Sequence, residues 1–215
     1  MQNQSNKLRL AVAKGRVAKE AVRMLGKFGI EFTEDVSTTR KLIVPDVTGN
    51  FEIVLVKPAD APVYVEEGVC DCGIVGRDII TENDSDVFVL FSLDIGKCAL
   101  CVAGKEGTDY RNIQGLKVAS KFVNSARNFL NSQGIEADII KLNGSVELAP
   151  ILGMSDVIID IVETGTTLRE NGLVVLEKIN DISSVFMVNK AALKTKYKDI
   201  KSLMDILRGD GNEDN

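Results

Sequence analysis

A chain of 215 residues, 45% hydrophobic and 27% charged, is long enough to bury one large core or two smaller ones and has the balance of a globular protein. Its formal net charge of −5 argues against a nucleic-acid partner, which needs a basic surplus, yet leaves room for phosphate ligands that a few well-placed cations can hold. The chain contains no histidine, so imidazole acid–base chemistry and any Ser-His arrangement are excluded, and carboxylates, cations, backbone dipoles or a metal must carry the chemistry.

Strand-like and helix-like segments alternate along the chain, which predicts an α/β fold. The segment from Met1 to Lys7 is polar, no small-residue cleavage site follows it, and no apolar run reaches membrane-spanning length, so neither a secretory signal nor a membrane is expected and the cytoplasm is the expected compartment. Leu8–Ala13 predicts a strand, then Lys14-Gly15-Arg16 and a helix from Val17 to Phe28 stopped by Gly29. Phe51–Val56 predicts a second strand, and Pro58 to Glu67 a helix with proline in its first turn. A short strand, Cys72–Gly76, leads into Arg77; Val87–Leu93 and Cys98–Ala103 predict two more strands.

Farther on, Leu116–Ser120 is a strand followed by a helix from Asn124 to Ser132, and Ala137–Leu142 a strand followed by a short helix from Val146 to Leu152. Asp156–Val162 is the nearly unbroken apolar run of a strand buried in a parallel sheet, and a helix is expected after Thr166. Leu173–Ile179 and Ser184–Val188 come next, then a final helix from Ala191 to Leu207. Gly209 to Asn215 are polar and expected to fray. The four cysteines include Cys98 and Cys101 on one strand-like run. Three positions apart on a strand, their thiols face opposite sides, so small, reduced, apolar cysteines are expected rather than a redox pair or zinc site.

The sharpest chemical feature runs from Asp160 to Leu168. It joins a buried-strand pattern to a helix pattern, where unpaired backbone N–H groups attract an anion. Gly165 lets the backbone approach a phosphate closely, Thr164, Thr166 and Thr167 add hydroxyls, and Asp160 and Glu163 stand where they can accept from sugar hydroxyls. Carboxylates followed by an anion-binding turn suit a phosphorylated ribose; an ordinary turn with a threonine N-cap is the plainer alternative. Lys14 and Arg16 flank a glycine at a strand's C-terminal end, where α/β sheets bind ligands, though alone they would read as a solvated turn, and Arg40 as a surface charge. Lys121, Asn124, Ser125 and Arg127 follow another strand, and Ser145 and Glu147 another; there a serine N-cap with a first-turn carboxylate is the plainer reading. Taken together, the four clusters have the layout of an active site.

On these residues the sequence resembles the ATP phosphoribosyltransferase family. The matching strings are Leu10 to Arg16, Thr39 to Leu42, Ala59 to Val65 with Gly68 to Gly76, Ala119 to Asn124, Lys141 to Pro150 and Asp160 to Leu168. Lys57 stands where many relatives have arginine or another residue, and Phe122 where tyrosine is common. The resemblance implies a two-lobed, periplasmic-binding-protein-like (type II) α/β fold with the active site in the inter-lobe cleft. The first lobe would be residues 1–93 plus 173–215, and the second, carrying the PRPP (phosphoribosyl pyrophosphate) loop, residues 94–172. It implies transfer of the phosphoribosyl group of PRPP to N1 of the adenine of ATP, with pyrophosphate leaving, at the start of histidine synthesis. Lys14, Arg16 and Arg40 would act on the pyrophosphate as catalytic residues. Asp160 and Glu163 would hold ribose hydroxyls, and Thr164, Gly165, Thr166 and Thr167 the 5′-phosphate. Lys121, Asn124, Ser145 and Glu147 would make further substrate contacts. Mg²⁺ would enter through substrate oxygens rather than protein ligands. A chain ending after its final helix resembles the family's short form, which implies a separate regulatory subunit related to histidyl-tRNA synthetase: a homodimer alone, a hetero-octamer with that subunit. A two-lobed binding or sensor domain without catalysis, and a phosphoribosyltransferase for another nucleobase, are the rival readings.

Overall fold

A computed structural model describes residues 7–209; the residues before and after, on which the expected lack of a leader and most of the expected fraying bear, lie outside it. In chain order the elements are β1 (Leu8–Ala13), α1 (Arg16–Gly26), β2 (Ile43–Pro45), β3 (Phe51–Val56), α2 (Ala61–Glu66), β4 (Cys72–Gly76), α3 (Arg77–Asn83) and β5 (Phe88–Ser92). Next come β6 (Cys98–Gly104), β7 (Leu116–Ser120), α4 (Val123–Ser132), β8 (Ala137–Lys141), α5 (Leu148–Ile151), β9 (Val157–Val162) and α6 (Thr166–Glu170). The last are β10 (Val174–Ile182), β11 (Ser184–Val188), α7 (Ala192–Thr195) and α8 (Tyr197–Arg208).

The chain divides into two compact units. One runs to Gly96 and resumes at Ser183; the other is Lys97–Ile182. The first holds a six-stranded sheet in the order β2-β3-β1-β4-β11-β5. Its central strand β1 lies parallel to both β3 and β4, and β11 closes against β4 and β5 antiparallel. β1 is apolar almost throughout because both faces are covered: Leu10 and Val12 are buried in a cluster with Leu25, Ile53, Ile74, Phe186 and Ile200, and Ala11 and Ala13 on the opposite face are buried as well.

The second unit holds a five-stranded sheet in the order β10-β6-β9-β7-β8. Here β7 is the strand with parallel neighbours on both sides, β8 and β9. The two units therefore repeat one plan. In each, the chain leaves the middle strand for one neighbour and then crosses back to the other (β1, β3, β4; β7, β8, β9). Ligands collect at the carboxyl ends of strands at such a reversal.

The lobe boundaries expected at 93/94 and 172/173 fall elsewhere. The Leu93 amide donates to the Ser184 carbonyl at 2.8 Å and the Ser184 amide to the Ile95 carbonyl at 2.9 Å, so residues 93–96 stay with the first unit. β10, expected in the first lobe, spends its whole ladder on β6 and belongs to the second. The expected final helix is broken in two at Lys196, whose φ of −121° leaves the helical region. The Lys196 ammonium donates to Asp71 Oδ2 and to the Lys7 carbonyl, each at 2.9 Å, and this long-range pair overrides local helix propensity.

Candidate active site

In the second unit, β9 is buried over its first half and half-buried from Asp160 on, so its apolar run ends where it reaches the edge of the sheet. The turn beyond it depends on Gly165, whose φ of +69° and ψ of +9° are left-handed. A residue with a Cβ would be strained there by about 1–2 kcal/mol. The Thr164 and Thr166 hydroxyls lie 3.0 Å apart, and the Thr166 amide donates to Thr164 Oγ1 at 3.4 Å. Asp160 Oδ1 accepts from the Ile161 amide at 2.8 Å. α6 spans only five residues, so a summed helix dipole contributes little; what the turn can offer an anion is the backbone N–H groups of its first turn and the threonine hydroxyls.

A pocket of about 210 Å³ opens here, lined by Asp160, Glu163, Thr164, Gly165, Thr166 and Thr167 together with Glu147 from the turn before α5. Six of the expected ribose and phosphate contacts, and one of the weaker candidates, are thus brought together within one unit. Lys121, Asn124 and Ser145 do not line this pocket.

Lys121 follows β7, whose Ser120 lies in register with Ile159 of β9, so the two turns share one edge of the sheet. Ser120 is fully buried; its hydroxyl donates to the Ile159 carbonyl at 2.5 Å and accepts from the Phe122 amide at 2.9 Å. One side chain therefore fixes the β7 turn against β9. The Phe122 ring is buried with the Lys121 ammonium 5.8 Å above its centre. Asn124 Oδ1 accepts from Arg127 at 3.2 Å, and α4 begins one residue before Asn124.

Ser145 is not the N-cap of the next helix. Glu147 occupies that position without a side-chain cap bond, and Ser145 has a φ of +48°, left-handed for a residue with a Cβ. Such strain is characteristic of functional turns.

In the first unit, Lys14 and Arg16 follow β1. Gly15 between them has a φ of +93° and a ψ of −136°, a conformation open to glycine alone, and serves as the N-cap of α1. The Lys14 amide donates to the Val56 carbonyl at 2.8 Å, fixing the turn beside the end of β3. Arg16 lies 3.9 Å from Glu20, one helical turn on. Arg40 is exposed on the segment leading into β2. Because β2 is antiparallel to β3, with Ile43 opposite Val54, that segment reaches the same sheet edge as Lys14. By this topology the positions of all three expected cations lie toward the carboxyl ends of β1 and β3, as does Lys57 after β3.

Sequence reasoning missed Arg169. Its guanidinium reaches back from α6 to donate to the Thr164 carbonyl at 2.9 Å and to Thr166 Oγ1 at 3.1 Å. A basic residue three positions after a helix's first threonine is the signal that points to such a brace. Ser120 was passed over as well, since a serine at a strand end looks like any other.

Among the described residues, no three His, Cys, Asp or Glu side chains converge to hold a metal, and no helix is long and apolar enough to cross a membrane. All four cysteines are free thiols. Burial pushes the Cys70 thiol up to about 12, and it raises Cys72 and Cys101 as well.

Comparison with known proteins shows the family. The family model "HisG: ATP phosphoribosyltransferase" matches residues 57–209. An ATP phosphoribosyltransferase of Clostridioides difficile is 46% identical over 198 residues, covering 92% of this chain and 95% of that one. Another from Alkaliphilus metalliredigens is 44% identical over 200 residues, covering 93% and 96%. Among solved structures, a chain of the ATP phosphoribosyl transferase (HisG:HisZ) complex from Thermotoga maritima superposes with a TM-score of 0.80 and 32% identity, covering 96% of this chain and 100% of that one. The periplasmic aliphatic sulphonate binding protein SsuA of Escherichia coli superposes with a TM-score of 0.63 at 15% identity, over 96% of this chain and 68% of that one, and shows the fold alone. The fold is thus the two-lobed type II fold of periplasmic binding proteins, and the chain belongs to the ATP phosphoribosyltransferase family.

Proposed function

We propose that the Asp160–Thr167 turn is the phosphoribosyl-binding element of this chain and that Lys14, Arg16 and Arg40 act on the departing pyrophosphate. The reaction itself is that of the family: the phosphoribosyl group of PRPP passes to N1 of the adenine of ATP, giving phosphoribosyl-ATP and pyrophosphate, the first step of histidine biosynthesis. One observation carries the assignment. The left-handed Gly165 turn opens a pocket in which three carboxylates, two of them on the turn itself, and three threonines meet, the donor and acceptor set of a ribose 5-phosphate.

The chemistry explains why a chain without histidine suffices. Adenine N1 attacks with a lone pair and has no proton to surrender, so no general base is needed for that step. The anomeric carbon passes through an oxocarbenium-like state, and negative charge grows on the pyrophosphate oxygens. Asp160 and Glu163 hold the ribose hydroxyls and sit on the cationic side of that charge separation. The three cations of the first unit stabilise the leaving group. Catalysis of this kind consists of positioning and electrostatic stabilisation. Lys121, Asn124, Ser145 and Glu147 are further substrate contacts in this reading.

The turn's oxygen-only donor set suits a hard cation such as Mg²⁺, which in this reading would be held through the substrate's own oxygens rather than by protein ligands. Bound there, Mg²⁺ would neutralise part of the pyrophosphate charge. The four free thiols fit a reducing cytoplasm.

Likeness to a chain of the HisG:HisZ complex supports a regulatory partner. We read it as a subunit related to histidyl-tRNA synthetase, with the catalytic chain a homodimer alone and part of a hetero-octamer with that subunit. Pyrophosphate release with PRPP and each of ATP, AMP, adenine and guanine tests the reaction: turnover with ATP alone is expected, and turnover with a free base instead would overturn it. Co-expression with the partner, followed by light scattering, tests the assembly, and two species that never co-elute would refute it.

A further inference from the structure

The pocket at the Gly165 turn has an unusual charge for a phosphate site. Three carboxylates, Glu147, Asp160 and Glu163, line it, and among the described lining residues there is no lysine or arginine. A 5′-phosphate brings further negative charge into that field. Like charges a few ångströms apart at a partly buried site repel strongly, and neutral hydroxyl and amide donors supply no net charge against that repulsion. A cation close behind the turn would offset that field.

Arg169 stands there. It is exposed, yet its guanidinium is fixed by two bonds to the turn itself, the Thr164 carbonyl at 2.9 Å and Thr166 Oγ1 at 3.1 Å. Its Nη1 is also the atom nearest to where a Cβ on Gly165 would stand, at 3.2 Å. These two bonds use two of the five N–H donors of a guanidinium. The planar fork can therefore grip a carbonyl and a hydroxyl and keep its charge beside the anion, which an ammonium cannot do with the same geometry.

We propose that Arg169 is the positioning residue of the 5′-phosphate subsite: it holds the Thr164–Thr166 turn open and supplies the positive charge that offsets Glu147, Asp160 and Glu163. This rests on the reading of the turn as the phosphoribosyl site. Its consequence is selective. PRPP binding depends on Arg169, while ATP binding and fold do not.

The test is calorimetric binding of PRPP, ribose 5-phosphate and ATP to wild type, Arg169→Ala, Arg169→Gln, Arg169→Lys and Gly165→Val, with KM and kcat measured alongside. Arg169→Ala and Arg169→Gln are expected to weaken PRPP and ribose 5-phosphate roughly 10- to 100-fold, the range for losing a charge-assisted contact. The PRPP KM should rise in step, with kcat, ATP affinity and the thermal midpoint nearly unchanged. Arg169→Lys should restore part of the affinity, and that part should fade as salt is raised. Unchanged PRPP affinity in Arg169→Ala overturns the inference. So does wild-type affinity in Arg169→Gln, which would leave only a neutral brace, or an equal loss of ATP affinity. The Gly165→Val variant separates the two levels. If it retains PRPP, the turn is not the phosphate site and the wider reading fails. If it loses PRPP while the Arg169 variants bind normally, only the role of Arg169 fails.

Discussion

The hydroxyl of Ser120 donates to the backbone carbonyl of Ile159 at 2.5 Å, one residue short of Asp160, while accepting from the Phe122 amide at 2.9 Å. A single fully buried oxygen thus joins the end of β7 to β9 and sets the turn bearing Lys121 beside the strand bearing Asp160.

Ser120→Ala should leave the Phe122 amide and a carbonyl lone pair buried without partners, destabilising the protein by about 1–3 kcal/mol. Urea unfolding measures this. Ser120→Thr, which keeps the hydroxyl, should recover much of the loss. An alanine variant with an unchanged urea midpoint would show that the bond contributes nothing.

The Gly165 turn makes a second prediction. A Cβ there would meet Arg169 Nη1 at 3.2 Å and Val162 Cγ1 at 3.7 Å, side-chain atoms that need give little, so the φ of +69° is the larger obstacle. Gly165→Ala should therefore fold with a loss of about 1–2 kcal/mol and bind PRPP more weakly because the turn shifts. Thermal unfolding and calorimetry read the two effects separately. Full PRPP affinity in Gly165→Ala would mean that the turn conformation is not what the ligand recognises.

How far the sequence carries depends on whether a feature is local. β1 and β9 are legible as apolar runs broken only by Arg9 and Asp160, as strands covered on both faces must be, and the turns after them stand out as polar stretches. Gly165 among threonines is legible for the same reason. Arg169 is not: its role depends on a side chain folding back onto the preceding turn. Ser120 is not, since its two partners are set by the register of β7 against β9. β2 has three residues and exists through pairing with β3, a long-range event. The break at Lys196 and the allegiance of β10 also come from distant partners, Asp71 and β6. Ser145 looked like a helix cap on spacing alone, yet its left-handed φ places it outside the helix.

The cations of the first unit make a third prediction. If Arg16 and Arg40 stabilise charge that develops only as pyrophosphate departs, their loss should slow the chemical step more than it weakens binding. Single-turnover rates for Arg16→Ala and Arg40→Ala should fall by about 2–4 kcal/mol of barrier, the range for removing one stabilising donor. A defect confined to KM would instead assign them to ground-state binding.

The last prediction concerns pH and the outer strand of the second unit. Glu177 on β10 accepts from the Tyr110 hydroxyl at 2.5 Å and from Arg111 Nη2 at 2.7 and 2.9 Å. The Tyr110 bond, helped by Arg111, holds the Glu177 carboxyl below the usual glutamate value, whereas burial and the same bond push the Tyr110 phenol up to about 12. The signs differ at the two ends. A lowered carboxyl contributes stability that is present above its unfolded value, near 4.5, and lost as pH falls through the folded one. A raised phenol contributes stability that is present below its unfolded value, near 10, and lost as pH rises through about 12. Urea midpoints followed across pH should thus decline on both limbs. Glu177→Gln should flatten the acid limb and Tyr110→Phe the alkaline limb. An acid limb of wild-type steepness in Glu177→Gln would assign that decline to other carboxylates, such as Asp46, which the Thr48 hydroxyl and the Phe51 amide hold low despite its burial.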